Sequence, residues 1–430
     1  MLNQFKIITF IFILIFLFTI YFSISNSYIS SDAPYYLSVA RDISKGYIPY
    51  KDIYLSYTPL MMYMNAPIYY IFEKFNYKNF LIFQYFIIFL TQLIFFKISR
   101  NKSRNSVTLS LFLTVLFGLA ILSSDGNYIN LEVYSLLSVM IAIYFYLNSQ
   151  ILFTGFFLAL SFLFKQYGIL NFIPFIFLIY NSENEIVKRL VLLGFGAVLP
   201  VLFFLIYFVV IKNLSLNSLL AQLSGVEYIK YSVNKFPGFF NWILGAKVFL
   251  LLVIPVLILV RKKVFERKNI PWLIGIIVSL LPTFLNSFQH YFINALPYIF
   301  MLIMINWKKD FEKALKPLIF GGLLFSLMLI IRVSKYSEVY VKQISTAEKV
   351  KQLVPEGNTI FLNGGIRYLY SLNDYNNPFR KRIGYSYIHF LSAEDFEAVK
   401  FLSDSLINTS CTERIELGER KYYLKLLTRN

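Results

Sequence analysis

Four places in this chain carry side chains able to do chemistry. Asp32 heads the stretch SDAPYYLSVARDISKG, directly after a long apolar run. A carboxylate there can take a proton from a hydroxyl, or it can cap a helix whose first turn holds Pro34. Lys165, followed by Gln166, sits in LSFLFKQYGIL between two apolar runs. As a point charge it can stabilise negative charge building on a leaving oxygen, or it can snorkel toward water. Asn130 and Glu132 lie in SSDGNYINLEVYSLL, with Asp125 nearby. An acid just inside an apolar segment is costly unless it is paired or faces a polar cavity, so Glu132 either meets a lysine or arginine or contacts ligand hydroxyls. Gln289-His290-Tyr291, in NSFQHYFINALPYIF, offers hydrogen-bonding groups for a phosphate or sugar at a helix start, or an interfacial anchor.

Other chemistries find no support. The chain has no Asp-x-Asp, no G-x-x-x-x-G-K-[ST] and no G-x-S-x-G. A lone Cys411 excludes a disulfide framework, and with only His290 and His389 a His-rich metal site is not indicated. Gly364-Gly365 reads as a turn.

The elements that position these groups follow from composition. Of 430 residues, 57% are hydrophobic and 19% aromatic, and mean hydropathy is +0.61. Repeated apolar runs near bilayer length make this an all-α polytopic membrane protein. The net charge of +18 sits in short segments between those runs, the pattern of topology signals and anionic-lipid contacts rather than of a nucleic-acid groove.

Phe5–Ile24 reads as an uncleaved first span. From Ala33 the chain reads as an amphipathic surface helix: Tyr36, Val39, Ala40 and Ile43 on one face, Arg41, Asp42 and Lys45 largely opposite, and Gly46 at its end. Thr58-Pro59 opens a second apolar stretch, Leu60–Phe72. Spans are expected at 80–96, 106–123, 131–147, 151–164, 168–181, 187–211, 241–260, 271–288, 291–306 and 317–333. The connections at 97–104, 183–189, 261–268 and 308–316 carry four, two, five and four Lys/Arg, whereas the opposite loops carry almost none. The positive-inside rule then favours a surface or re-entrant Leu60–Phe72, about eleven spans and an external C-terminus. The expected organisation is a transmembrane domain over 1–333, with a first external loop at 25–79, and a small soluble extracytoplasmic α+β domain over 334–430. That domain has helices at 340–353 and 393–406, the second capped by Ser392 and Asp395, and strands at 359–362, 412–417 and 422–427.

These residues resemble the motifs of the polytopic GT-C glycosyltransferases, in particular glycosyltransferase family 39, which includes protein O-mannosyltransferases and lipid A aminoarabinose transferases. Asp32, Tyr36, Ala40 and Gly46 are similar to the family's acid and surface helix in the first external loop. Pro59-Leu60 resembles its second surface-helix start, Leu163-Phe164-Lys165-Gln166 its lysine motif near the donor phosphate, and His290, Tyr291 and Pro297 its late His-Tyr element. Ala33 stands where many members have a second acid, and Ser56-Tyr57-Thr58-Pro59 where the lipid A branch has Glu-Lys-Pro-Pro. These departures argue against aminoarabinose transfer and protein mannosylation specifically and leave the general mechanism untouched.

The resemblance implies inverting transfer of a sugar from a polyprenyl-phosphate donor to an acceptor hydroxyl of a lipid, glycan or protein, on the outer face of the cytoplasmic membrane. It implies Asp32 as the base, Lys165, His290 and Tyr291 at the donor phosphate, and Tyr36, Asn130, Glu132 and Gln166 lining the substrate cavity. The implied partners are the lipid-linked sugar, its acceptor and membrane lipids; a divalent metal is possible without being indicated. Two rival readings are a transporter or flippase of lipid-linked sugars, which would call for mid-membrane ionisable groups or repeated halves, and a non-catalytic membrane scaffold, for which Asp32 and Lys165 would be dispensable.

Overall fold

A computed structural model describes residues 2–25, 29–30, 32–72, 76–103, 107–182, 185–224, 242–243, 246–260, 265–285 and 288–353, with four short strands between 360 and 426. The described chain is overwhelmingly helical and falls into two compact units. One comprises Met1–Ser25, Leu81–Leu205 and Lys235–Ser334; the other comprises Asn26–Phe80, Ile206–Asn234 and Lys335–Asn430.

In the first unit, α1 (Leu2–Ser25), α4 (Tyr77–Ser103), α5 (Val107–Ile121), α6 (Leu131–Leu147), α7 (Ile151–Phe164), α8 (Phe172–Tyr180), α9 (Ile186–Leu205), α11 (Lys247–Val260) and α12 (Ile270–Leu285) supply the apolar helices. Helices long and apolar enough to cross a bilayer run over Lys6–Ser25, Tyr77–Asn101, Val107–Gly126, Ile186–Ile211 and Leu315–Gln352, and shorter apolar helices accompany them. Their outward faces stay apolar: Phe195, Phe203 and Val187 of α9 are all largely exposed, as lipid-facing side chains must be. Two glycines let α7 and α9 approach closely. A Cβ on Gly155 would strike the Leu193 carbonyl, and one on Gly196 the Leu152 carbonyl, the small-residue packing that association within a membrane favours.

Helical hydrogen bonding runs through α13, Leu296–Leu353, where two spans and a separate helix at 340–353 were expected. That run is not straight. Arg332 bonds Gln289, although some thirty-six residues of straight helix would cover about 54 Å. Phe300 packs on Phe117 at 5.0 Å while Gly322 lies against Leu116, so the chain doubles back between them. The first unit ends at Ser334, but the helix does not. Helical structure continues from the last span to Leu353, because nothing between Arg332 and Leu353 breaks it: the stretch holds no proline or glycine.

In the second unit, α2 (Ala33–Ser44) packs on α3 (Leu60–Ile71), with Tyr69 Oη donating to the Leu37 carbonyl at 2.9 Å. Gly46, at φ +90°, ends the turn after α2 where a side chain would be strained. Of the polar residues expected opposite the apolar face of α2, Lys45 is exposed but the other two are not. Arg41 and Asp42 are buried, and Arg41 Nη2 reaches Asp42 Oδ1 at 3.0 Å. Pairing of the two charges offsets part of the cost of covering both. The loop after α2 is clasped by α10 (Leu216–Leu223): Gln222 Nε2 donates to the Tyr50 carbonyl at 2.8 Å, and its Oε1 accepts from Leu55 N at 3.1 Å.

The strands at 360–361 and 414–417 fall within the expected bounds, but the single strand expected at 422–427 overlaps two: β1 (Ile360–Phe361) pairs antiparallel with β4 (Lys425–Leu426), and β2 (Arg414–Leu417) with β3 (Arg420–Tyr423). The expected helix at 393–406 and the turn at Gly364-Gly365 lie outside the described residues.

Candidate functional site

The site in the first unit is built where three helices break. α5 ends in a π-helical turn, Leu122–Gly126, inside which Asp125 takes a left-handed conformation at φ 68°. A non-glycine residue held there is strained, and strain of this kind gathers at functional positions. Gln84 of α4 fixes the following loop, donating to the Gly126 carbonyl at 2.9 Å and accepting from Asn130 N at 3.1 Å. α6 starts at an extended Asn130, whose Oδ1 accepts from Val133 N at 3.2 Å while its Nδ2 donates to the Asp125 carbonyl at 2.7 Å. The amide of Asn130 is thus occupied in shaping the backbone. Glu132 then enters the first turn of α6 fully buried.

α7 breaks at Lys165, which is extended at φ −155°, ψ 134°, before a 3-10 turn over Gln166–Asn171. Gly168 permits that turn, since a Cβ there would meet the Ser161 backbone. A small polar chain braces the break: Tyr298 Oη donates to Asn171 Oδ1 at 2.7 Å, Asn171 Nδ2 donates to Ser161 Oγ at 3.3 Å, and the Ser161 and Ser135 hydroxyls lie 2.8 Å apart. The third break is the 3-10 turn Gln289–Ala295, which carries His290 and Tyr291.

These breaks bring five charged or titratable side chains into one buried row. Lys165 is ion-paired with Glu132. His290 Nε2 lies 4.0 Å from Glu132 Oε1, and its Nδ1 lies 3.9 Å from Asp125 Oδ2. Asp125 is ion-paired with Arg332, which also donates to Gln289. Aromatic rings enclose the lysine: Nζ stands 4.5 Å above the Tyr291 ring and 5.3 Å from that of Tyr167, both within cation–π range. Chemically this is a cation in a low-dielectric, aromatic-walled place, where a charge acts far more strongly than in water.

The sequence-predicted residues divide between the units. Glu132, Lys165, His290 and Tyr291 are assembled in the first, with Asn130 bracing the backbone and Gln166 half-buried at the start of the 3-10 turn. Lys165 does not snorkel; it is 3% exposed and turns inward to Glu132. His290 faces two carboxylates. Asp32 and Tyr36 belong to the second unit. Asp32 occupies the N-cap position of α2, yet its side chain makes no capping hydrogen bond; its carbonyl accepts from Tyr35 N at 3.0 Å, and Ser30 Oγ accepts from Ala33 N at 3.3 Å. Tyr36 is buried, edge-on to Tyr35 and Tyr57 at centroid distances of 5.6 and 6.1 Å.

Sequence reasoning passed over Arg332, Gln84 and Tyr167. Arg332 had a usable signal: a lone cation closing the apolar run GGLLFSLMLII requires a buried partner as surely as Glu132 does. Gln84 and Tyr167 have none, since their roles depend on which loops they meet.

No protein-family model matches the chain, and no curated protein matches it. Among solved structures, it is similar to the crystal structure of ArnT from Cupriavidus metallidurans bound to undecaprenyl phosphate, with a TM-score of 0.60 and 12% sequence identity, over 97% of each chain. The likeness establishes the fold: the chain is an all-α, multi-pass membrane protein with the architecture of that structure.

Proposed function

We propose that the chain is a membrane glycosyltransferase that moves a sugar from a polyprenyl-phosphate donor to an acceptor hydroxyl, with inversion, on the outer face of the cytoplasmic membrane. The observation that carries this reading is the buried Lys165 between the Tyr291 and Tyr167 rings, in a fold shared from end to end with a protein crystallised on undecaprenyl phosphate. Asp32, whose carboxylate no helix cap engages, takes the proton of the acceptor hydroxyl. The acceptor oxygen bonds to the anomeric carbon, the carbon–oxygen bond to the phosphate breaks, and the electron pair remains on the departing phosphate. Lys165 balances that charge, with Tyr291 and His290 beside it. A phosphate leaving group needs no protonation, so one carboxylate serves where glycoside hydrolysis uses two.

Tyr36 and Gln166 are assigned to the sugar-binding surroundings, and 334–430 to an extracytoplasmic domain. Glu132 acts through Lys165, and Asn130 acts by holding the loop between α5 and α6.

Membranes containing the full chain should transfer radiolabel from polyprenyl-phosphate sugars to an endogenous acceptor and release polyprenyl phosphate, and Lys165→Met should abolish this at equal protein level. Equal transfer by Lys165→Met, or label that crosses the bilayer without transfer, would contradict the proposal and favour a carrier of lipid-linked sugars.

A further inference from the structure

We propose that Glu132 is an exchangeable partner of Lys165: it surrenders the lysine to the phosphate of an incoming polyprenyl-phosphate lipid and passes to His290. This rests on reading the cluster as a lipid-phosphate site, and it adds how the lysine of that site is held and released. Three observations support it. The Lys165–Glu132 pair is withdrawn from solvent, with side chains 4% and 1% exposed. It neutralises itself, so a phosphate gains a full cation only if the pair opens. Glu132 is also held by one oxygen: Oε2 is buried and has no hydrogen-bond partner among the described residues. A half-satisfied carboxylate is easier to release than one bonded on both sides. Finally, the successor is in place, because His290 Nε2 stands 4.0 Å from the same Oε1 that Lys165 holds. A closure of about 1 Å brings it to the length of a charge-assisted hydrogen bond.

The exchange involves no covalent step. Lys165 turns from carboxylate to phosphate beneath the Tyr291 ring, and the vacated carboxylate accepts from His290. On the far side His290 faces Asp125, which Arg332 keeps in place, so the row loses no anchor. Without His290, the lysine would leave a buried carboxylate with no partner in reach, and the pair would resist opening.

The test is equilibrium binding of tritiated undecaprenyl phosphate to the purified full-length protein in detergent. Glu132→Gln should bind about tenfold tighter than wild type, a change of about 1.4 kcal/mol, because the lysine no longer has to leave a charged partner. Lys165→Met should bind poorly, with Glu132→Gln adding nothing in that background. His290→Asn should weaken binding, and the Glu132→Gln/His290→Asn double variant should recover it. Should Glu132→Gln fail to fold, Glu132→Asp stretches the pair and must shift affinity in the same direction. Wild-type binding that Glu132→Gln leaves unchanged or weakens overturns the exchange. So does a gain that survives in Lys165→Met, for then the carboxylate acts only as a diffuse negative charge. Absence of binding by the wild type overturns the phosphate-site reading itself.

Discussion

Lys165→Met separates a lysine turned inward from one that reaches for water. In the structure its side chain is 4% exposed and that of its partner Glu132 is 1% exposed. Removing the cation leaves a carboxylate buried without charge compensation, and breaking such a pair from one side costs about 3–5 kcal/mol. His290, 4.0 Å from Glu132 Oε1, can close on the exposed oxygen, so the lower end, about 3 kcal/mol, is expected. Removing both charges together should cost much less, since an apolar pair of similar volume often matches or exceeds a buried ion pair. The assay is the fraction of purified protein that stays monodisperse after graded heating in detergent, for wild type, Lys165→Met, Glu132→Gln and the double variant. The single lysine variant should fall well below wild type, and the double variant should recover most of the loss. A snorkelling lysine predicts a change within about 0.5 kcal/mol. A single variant as robust as wild type, or a double variant no better than Lys165→Met, refutes the inward pair.

The same logic reaches other contacts. Gln222→Ala removes two bonds to the loop after α2 and should loosen it by about 1–3 kcal/mol, seen as faster proteolytic cleavage at exposed Lys51; unchanged cleavage would show that the clasp holds nothing. Gly155→Val drives a side chain into the Leu193 carbonyl and should sharply reduce recovery of folded protein, whereas a yield equal to wild type would contradict the close α7–α9 approach. Burial, with smaller contributions from Tyr35 and Tyr63, raises the Tyr50 phenol well above its ordinary 10.0. Its contribution is therefore complete below pH 10 and declines as pH rises above it. Tyr50→Phe should flatten part of the alkaline loss of stability, and identical alkaline profiles would count against the buried, neutral phenol.

Much of the architecture was readable because its signals are local. The bounds 131–147 and 151–164 coincide with α6 and α7, since Asn130 and Lys165 interrupt continuous apolar runs. α2 begins after Asp32 and turns at Gly46 as the spacing implied. What failed depended on tertiary partners. Periodicity placed Arg41 and Asp42 on an outer face, but the two satisfy each other, and that allows burial. Near Ser334 the composition changes and the first compact unit ends, but the helix does not, because a polar helix can continue an apolar one without interruption. Sequence named Glu132, Lys165 and His290 separately, together with two possible fates for the acid, and could not show that the acid and the lysine are each other's partner. Arg332 signals a buried partner but is not legible as a site residue, because its partners Asp125 and Gln289 lie far away in the chain.

The proposed reaction depends on Asp32 as its base. The most direct measurement compares sugar transfer from polyprenyl-phosphate donors in membranes carrying wild type and Asp32→Asn at matched protein levels. Because the Asp32 side chain makes no capping hydrogen bond, asparagine should leave α2 and the protein yield unaltered while removing the proton acceptor. Transfer should be lost while protein yield stays normal. Undiminished transfer by Asp32→Asn would contradict that role and move the search for a base to another carboxylate.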